Sequence, residues 1–139
     1  MFCRETVADL RQVAQHTPNY PPILFVYHGS VEDGEDFFGA LWPEARAVAD
    51  PNKTLYTAFG IGRAGLRQIM SPEVAACAVR ATAKGHLGGR PQGDTLTLPD
   101  LFLVHRDRVL WQFRARHVAD HPDWQRLVDH LPADVKLRP

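Results

Sequence analysis

Phe2-Cys3-Arg4-Glu5-Thr6-Val7-Ala8-Asp9-Leu10-Arg11-Gln12-Val13-Ala14 places apolar residues at Phe2, Val7, Leu10, Val13 and Ala14, with Arg4, Glu5, Asp9, Arg11 and Gln12 on the other side. That three- and four-residue spacing predicts an amphipathic helix starting almost at the first residue. Thr17-Pro18 and then Pro21-Pro22 stop it. The β-branched and aromatic run Ile23-Leu24-Phe25-Val26-Tyr27 then predicts a short buried strand, ended by Gly29. A helix feeding directly into a buried strand sets an α/β reading for the rest of the chain.

Working outward, residues 32 to 42 predict a short helix behind Ser30, and Ala47-Val48-Ala49 a brief strand. Asp50-Pro51 opens a further helix through Phe59, closed by Gly60. From Arg63 to Lys84 the apolar spacing predicts one helix, or two broken near Ser71-Pro72, with Gly85 as the cap. Gly88 to Asp94 is turn-rich. Leu101 to His105 and Val109 to Phe113 flank Arg106-Asp107-Arg108 as an antiparallel hairpin. Asp123 to Leu131 gives a last amphipathic helix, with Pro122 in its first turn. No repeat, low-complexity segment or linker interrupts residues 1–139, which read as one domain.

Composition bounds the function. The chain has 139 residues, 16 Lys plus Arg against 16 Asp plus Glu, and 45% hydrophobic residues. Zero formal net charge leaves no global electrostatic footprint for nucleic acid, and no apolar run approaches the roughly 20 residues of a membrane span. With two cysteines and no leader pattern, neither a disulfide framework nor a structural zinc site is expected, and the cytoplasm is the default compartment.

The chemistry centres on Cys3. It falls in the first turn of the first helix, beside Arg4, where unpaired N–H groups and the helix dipole favour a thiolate. Such a thiolate attacks peroxides or disulfides and gives a sulfenic acid or mixed disulfide first. The alternative is a terminal cysteine without a role. Pro99, two residues before the Leu101 strand, reads as a simple turn or as a cis proline presenting backbone to a substrate. Cys77, in Val74-Ala75-Ala76-Cys77-Ala78-Val79, reads as a packed core thiol before it reads as a resolving cysteine. Arg90 to Asp94 could form an anion-binding turn or a plain loop. For His117, Asp120 and His121, helix capping by Asp120 is a simpler reading than a metal site. Gly60-Ile61-Gly62-Arg63-Ala64-Gly65 follows a helix rather than a strand, so the mechanism of a dinucleotide fingerprint is absent.

Four separated blocks carry a family resemblance. Phe2 to Leu10, Val48 to Gly60 with its Asp-Pro, Leu-Tyr and Phe-Gly pairs, Gly89 to Asp94 followed by Pro99 to Val104, and His117 to Asp123 resemble, in order, the peroxiredoxin-like AhpC/TSA group related to selenoprotein L, a branch of the thioredoxin superfamily. The resemblance implies a thioredoxin-like three-layer fold, with a mixed central sheet flanked by helices and a cis Pro99 facing Cys3. It implies a thiol-dependent antioxidant oxidoreductase that uses no cofactor or metal, takes a hydroperoxide or disulfide as substrate, and is reduced by a thioredoxin- or glutathione-like thiol. Arg114 and Arg116 match the place where peroxiredoxin-like proteins put an arginine that polarises the peroxide; solvated strand-end arginines are the alternative.

The chain departs from that pattern at its start. The family's first motif position falls just ahead of Met1, so the chain supplies Cys3 but no upstream Cys, Sec or Thr. The fold's first strand is also missing, which would leave the strands at 23–28 and 101–105 on either side of a gap. A start codon assigned too far downstream is the favoured explanation, ahead of a partner chain filling the slot or a degenerate remnant. The chain as written is then expected to be aggregation-prone or a homodimer. An upstream extension would allow a C-x-x-C disulfide reductase, and loss of function would leave a non-catalytic thioredoxin-like binding module.

Overall fold

The computed structural model describes residues 2–62, 72–83, 97–117 and 119–132. Helix α1 (Phe2–His16) forms where the spacing predicts it and buries Val7 and Leu10. Strand β1 (Leu24–Tyr27), helix α2 (Val31–Leu41) and strand β2 (Arg46–Ala49) follow as a βαβ unit, with β1 and β2 parallel and Leu24 opposite Arg46. Ser30 starts α2 by a reciprocal cap: its hydroxyl accepts from the Asp33 N–H, and Asp33 accepts from the Ser30 N–H. Inside α2, Gly34 is required by contact. A β-carbon there would run into the ring and hydroxyl of Tyr27, which lies across the helix.

The helix expected from Asp50 to Phe59 is shorter, α3 (Thr54–Ala58). The buried Asp50 carboxylate explains this, because it accepts from the N–H groups of Thr54 and Tyr56 and so caps the helix four residues late. Gly60 closes the segment at φ +64°, as a C-terminal glycine should. Helix α4 (Pro72–Ala83) begins at the predicted break. The expectations for 63–71, the Gly85 cap and the turn at 88–94 lie outside the described residues. Strands β3 (Leu101–His105) and β4 (Arg108–Phe113) form the antiparallel hairpin, with a bulge between Leu103 and Val104 and Arg106 at φ +55° in the turn. The final helix, Trp124–His130, is 310 rather than α. Asp123 caps it through the Gln125 N–H, and Pro122 stands ahead of the cap rather than in the first turn.

One apolar cluster ties these parts together. Leu10 of α1 packs with Trp124 and Leu127, and Phe25 of β1, Leu101 of β3 and Trp111 of β4 all reach it. Tyr20 closes the cluster by donating to the Trp124 carbonyl at 2.9 Å; burial, reinforced by the charge of Asp123, pushes its pKa up to about 12. Among the described residues the strands form two separate pairs, one parallel and one antiparallel. β1 and β3 fall in different pairs. The Asp50 N–H donates to the Tyr27 carbonyl on the β2 side, so strand alternation turns the Val26 carbonyl to the other edge of β1. There it accepts from the Tyr56 hydroxyl at 3.2 Å. A side chain from α3 thus covers part of an edge that no described strand pairs.

Candidate functional site

Cys3 is exposed in the first turn of α1. Cys3, Val7 and Leu10 lie on one stripe of the helix, at i, i+4 and i+7, yet Val7 and Leu10 are 3% and 4% exposed. The core therefore floors this stripe up to Val7 and ends short of the thiol. Arg4, its sequence neighbour, lies over the Phe37 ring of α2 at 5.5 Å.

Glu5 overturns the expected polar face. It is 2% exposed, and Arg80 of α4 donates to it twice, Nε to Oε1 at 2.9 Å and Nη2 to Oε2 at 3.3 Å. Desolvating a carboxylate is costly unless a cation with good geometry offsets it, and a two-point guanidinium contact supplies that. The hydrogen bond to Glu5 is also what raises the Arg80 pKa above its ordinary value, against the opposing effect of burial. The same guanidinium reaches Cys77 Sγ and His121 Nε2, each at 3.5 Å. Cys77 is half-buried beside this cation rather than enclosed in apolar packing, which corrects the core-thiol expectation.

Pro99 is not a cis proline: no described peptide bond is cis. The reason is local, since the Asp100 N–H donates to the Leu98 carbonyl at 3.0 Å, closing a three-residue turn around Pro99 whose φ the pyrrolidine ring already supplies. The Asp100 side chain is 3% exposed and accepts from Arg114 Nη1 at 2.7 Å and from the Ala115 N–H at 3.0 Å. Arg114 also donates to the carbonyls of Gly60 at 3.0 Å and Phe59 at 2.9 Å, and its guanidinium lies 5.0 Å from the Phe102 ring centroid. It latches the turn after α3 to the hairpin.

Arg116 stands apart from that latch. It is 83% exposed and donates to Asp120 through Nε at 3.0 Å and through its backbone N–H at 2.9 Å. Asp120 therefore closes the Arg116 turn and does not cap the last helix, which is the work of Asp123. Burial would raise the Asp120 pKa, but the Arg116 hydrogen bonds prevail and hold it below the usual carboxylate value. The structure brings Pro99, Asp100 and Arg114 together. Among the described residues, neither Arg114 nor Arg116 hydrogen-bonds Cys3.

A cleft of about 420 Å³ lies between the second half of α1 and the 121–125 segment, lined by Asp9, Gln12, His16, His121, Asp123 and Trp124 among others, without Cys3. Among the described residues no group of three His, Cys, Asp or Glu side chains is placed to hold a metal ion. The anion-turn reading of Arg90 to Asp94 falls outside the described residues.

A family model described as AhpC/TSA antioxidant enzyme matches residues 8–117. The chain belongs to that family. Its parallel and antiparallel strands with flanking helices are an α/β arrangement consistent with the thioredoxin-like fold of the AhpC/TSA enzymes, whose common chemistry is thiol-dependent redox. Nothing among curated proteins or solved structures matches the chain. Pro99, Arg114 and Arg116 lie inside the matched stretch, and Cys3 lies ahead of it. No helix of the described residues is long and apolar enough to cross a membrane. The buried Glu5–Arg80 pair was missed in the sequence; the only hint was a carboxylate in the first turn of a helix.

Proposed function

We propose that this AhpC/TSA protein is a thiol peroxidase in which Cys3 is the nucleophile. The observation that carries the reading is an exposed thiol at the start of α1, on the stripe whose next residues, Val7 and Leu10, are buried, in a chain of a thiol-redox family. The Cys3 thiolate attacks the terminal oxygen of a hydroperoxide; the O–O bond breaks, an S–O bond forms, and the alkoxide leaves with a proton from water. A reductant thiol then displaces water from the sulfenic acid to give a mixed disulfide, and a second thiol releases Cys3. The reductant is a thioredoxin- or glutathione-like thiol, the setting is the cytoplasm, and no metal or cofactor takes part. Pro99 and Arg114 act by holding the loop ahead of β3, and Arg116 is the arginine exposed enough to meet an incoming anion.

Peroxide consumption by the purified chain, with glutathione or thioredoxin as reductant, tests the reading. Cys3→Ser is expected to abolish turnover and the sulfenic acid trapped by dimedone. Full turnover in Cys3→Ser would end the proposal. A second reading, a non-catalytic thioredoxin-like binding module, is favoured by one observation: Arg114 already serves three oxygen acceptors within the fold. It expects no dimedone adduct at Cys3 after mild peroxide.

A further inference from the structure

Glu5 and Cys3 share the first turn of α1, about 3 Å apart along the axis and about 200° apart around it. The carboxylate therefore faces α4 while the thiol faces the other way, and the two act on one another through charge rather than contact. Two anions in one helical turn compete for the same N-terminal N–H groups and repel each other. Arg80 supplies the compensating cation, fixed on both Glu5 oxygens across a 75-residue separation.

We infer that the Glu5–Arg80 pair is a positioning device for Cys3, holding the first turn of α1 against α4 and cancelling the carboxylate charge that would oppose a thiolate at position 3. This rests on the reading of Cys3 as nucleophile. The pair touches the right elements for that role. Glu5 is nearly sealed from solvent, at 2% exposed, so its charge is poorly screened by water. Arg80 is anchored at the carboxylate, and its remaining contacts are Cys77 and His121, both ionisable. The other charged groups near the turn are Arg4, which lies over Phe37 of α2, Asp9 further along α1, and the carboxylates of α2; Asp123 lies against the second half of α1. Of the α2 carboxylates, Glu35, Asp33 and Glu32 act on Tyr27, and Asp36 is exposed.

The charge argument predicts opposite signs for the two partners. Glu5→Gln removes the carboxylate and leaves the cation, which favours the thiolate. Arg80→Met removes the cation and leaves the carboxylate, which disfavours it. Across a helix about 10 Å wide and at an effective dielectric between protein and water, each change is about threefold in alkylation rate at a fixed pH below the midpoint.

The measurement is the pH dependence of Cys3 alkylation by iodoacetamide at low salt, read on the Cys3 peptide by mass spectrometry so that Cys77 is scored separately. Expected are a lowered midpoint in Glu5→Gln, a raised one in Arg80→Met, a near-return in the double variant, and convergence of all midpoints in 1 M salt. A His121→Gln control removes the imidazole from the same guanidinium. Midpoints that do not move, or that move in the same direction, overturn the inference and leave the pair a structural tie. Should Arg80→Met fail to fold, Glu5→Gln and the charge-keeping Arg80→Lys decide: the former must drop and the latter must stay near the parent. Alkylation reads the thiol whether or not peroxide is turned over, so loss of the peroxidase reading and loss of this one are separable.

Discussion

The Arg114–Asp100 and Arg80–Glu5 pairs are built from the same parts and do different work. Each sets a carboxylate 3% exposed at the side chain against a guanidinium about four-tenths exposed. The difference lies in where the remaining N–H groups go. Arg114 sends them to the carbonyls of Phe59 and Gly60, groups that cannot titrate, whereas Arg80 sends them to a thiol and an imidazole. A guanidinium finished by backbone carbonyls is a strut between two segments; one finished by side chains joins α4 to α1 and to His121.

The largest expected effect is at the strut. Arg114→Ala strands the buried Asp100 carboxylate and two carbonyls, and a loss of about 3 kcal/mol in urea unfolding is expected, toward the low end for a broken buried pair because Arg114 is part-exposed. Arg114→Lys recovers only part of it, since one ammonium cannot reach three acceptors on different segments. A variant within about 0.5 kcal/mol of the parent would show that water replaces the latch. Next comes Arg80→Met, at about 2 kcal/mol, since Glu5 keeps α1 packing around it. The contrast sharpens in reactivity: Arg114→Ala should leave the Cys3 alkylation midpoint in place, and Arg80→Met should move it.

This contrast also marks the limit of what the residues reveal in order. Strands β1, β3 and β4, helix α1 and the Ser30 start of α2 are legible because apolar periodicity and local capping act within a few residues of themselves. Glu5 reads as part of the polar face because hydropathy registers a residue type and not its partner, and Arg80 stands 75 residues away. The family resemblance implies a cis Pro99, but the turn that decides it is made by Leu98 and Asp100. At the last helix, Asp120 and Asp123 have equal capping chemistry, and only the Arg116 turn, which occupies Asp120, leaves Asp123 to cap. The site was thus legible as a set of candidate residues. The partners that fix their roles were not.

The smallest expected effect is at the third pair, and it tests whether burial of the carboxylate alone makes an arginine matter. Asp120 is 9% exposed at the side chain, close to Asp100, but Arg116 is 83% exposed and spans only four residues. An exposed i,i+4 partner loses most of its Coulomb gain to solvent, so Arg116→Ala should cost less than about 1 kcal/mol at neutral pH. The pH dependence separates it from a null result. Because the folded pKa of Asp120 is lowered, its contribution is full above the unfolded carboxylate value and is lost as pH falls through the folded one. Parent and Arg116→Ala should therefore differ most near neutrality and converge in acid, in urea midpoints taken from pH 7 downward. Curves that coincide at every pH would place the stabilisation in the Arg116 backbone N–H, which the substitution keeps, and would show that the guanidinium adds nothing to the turn.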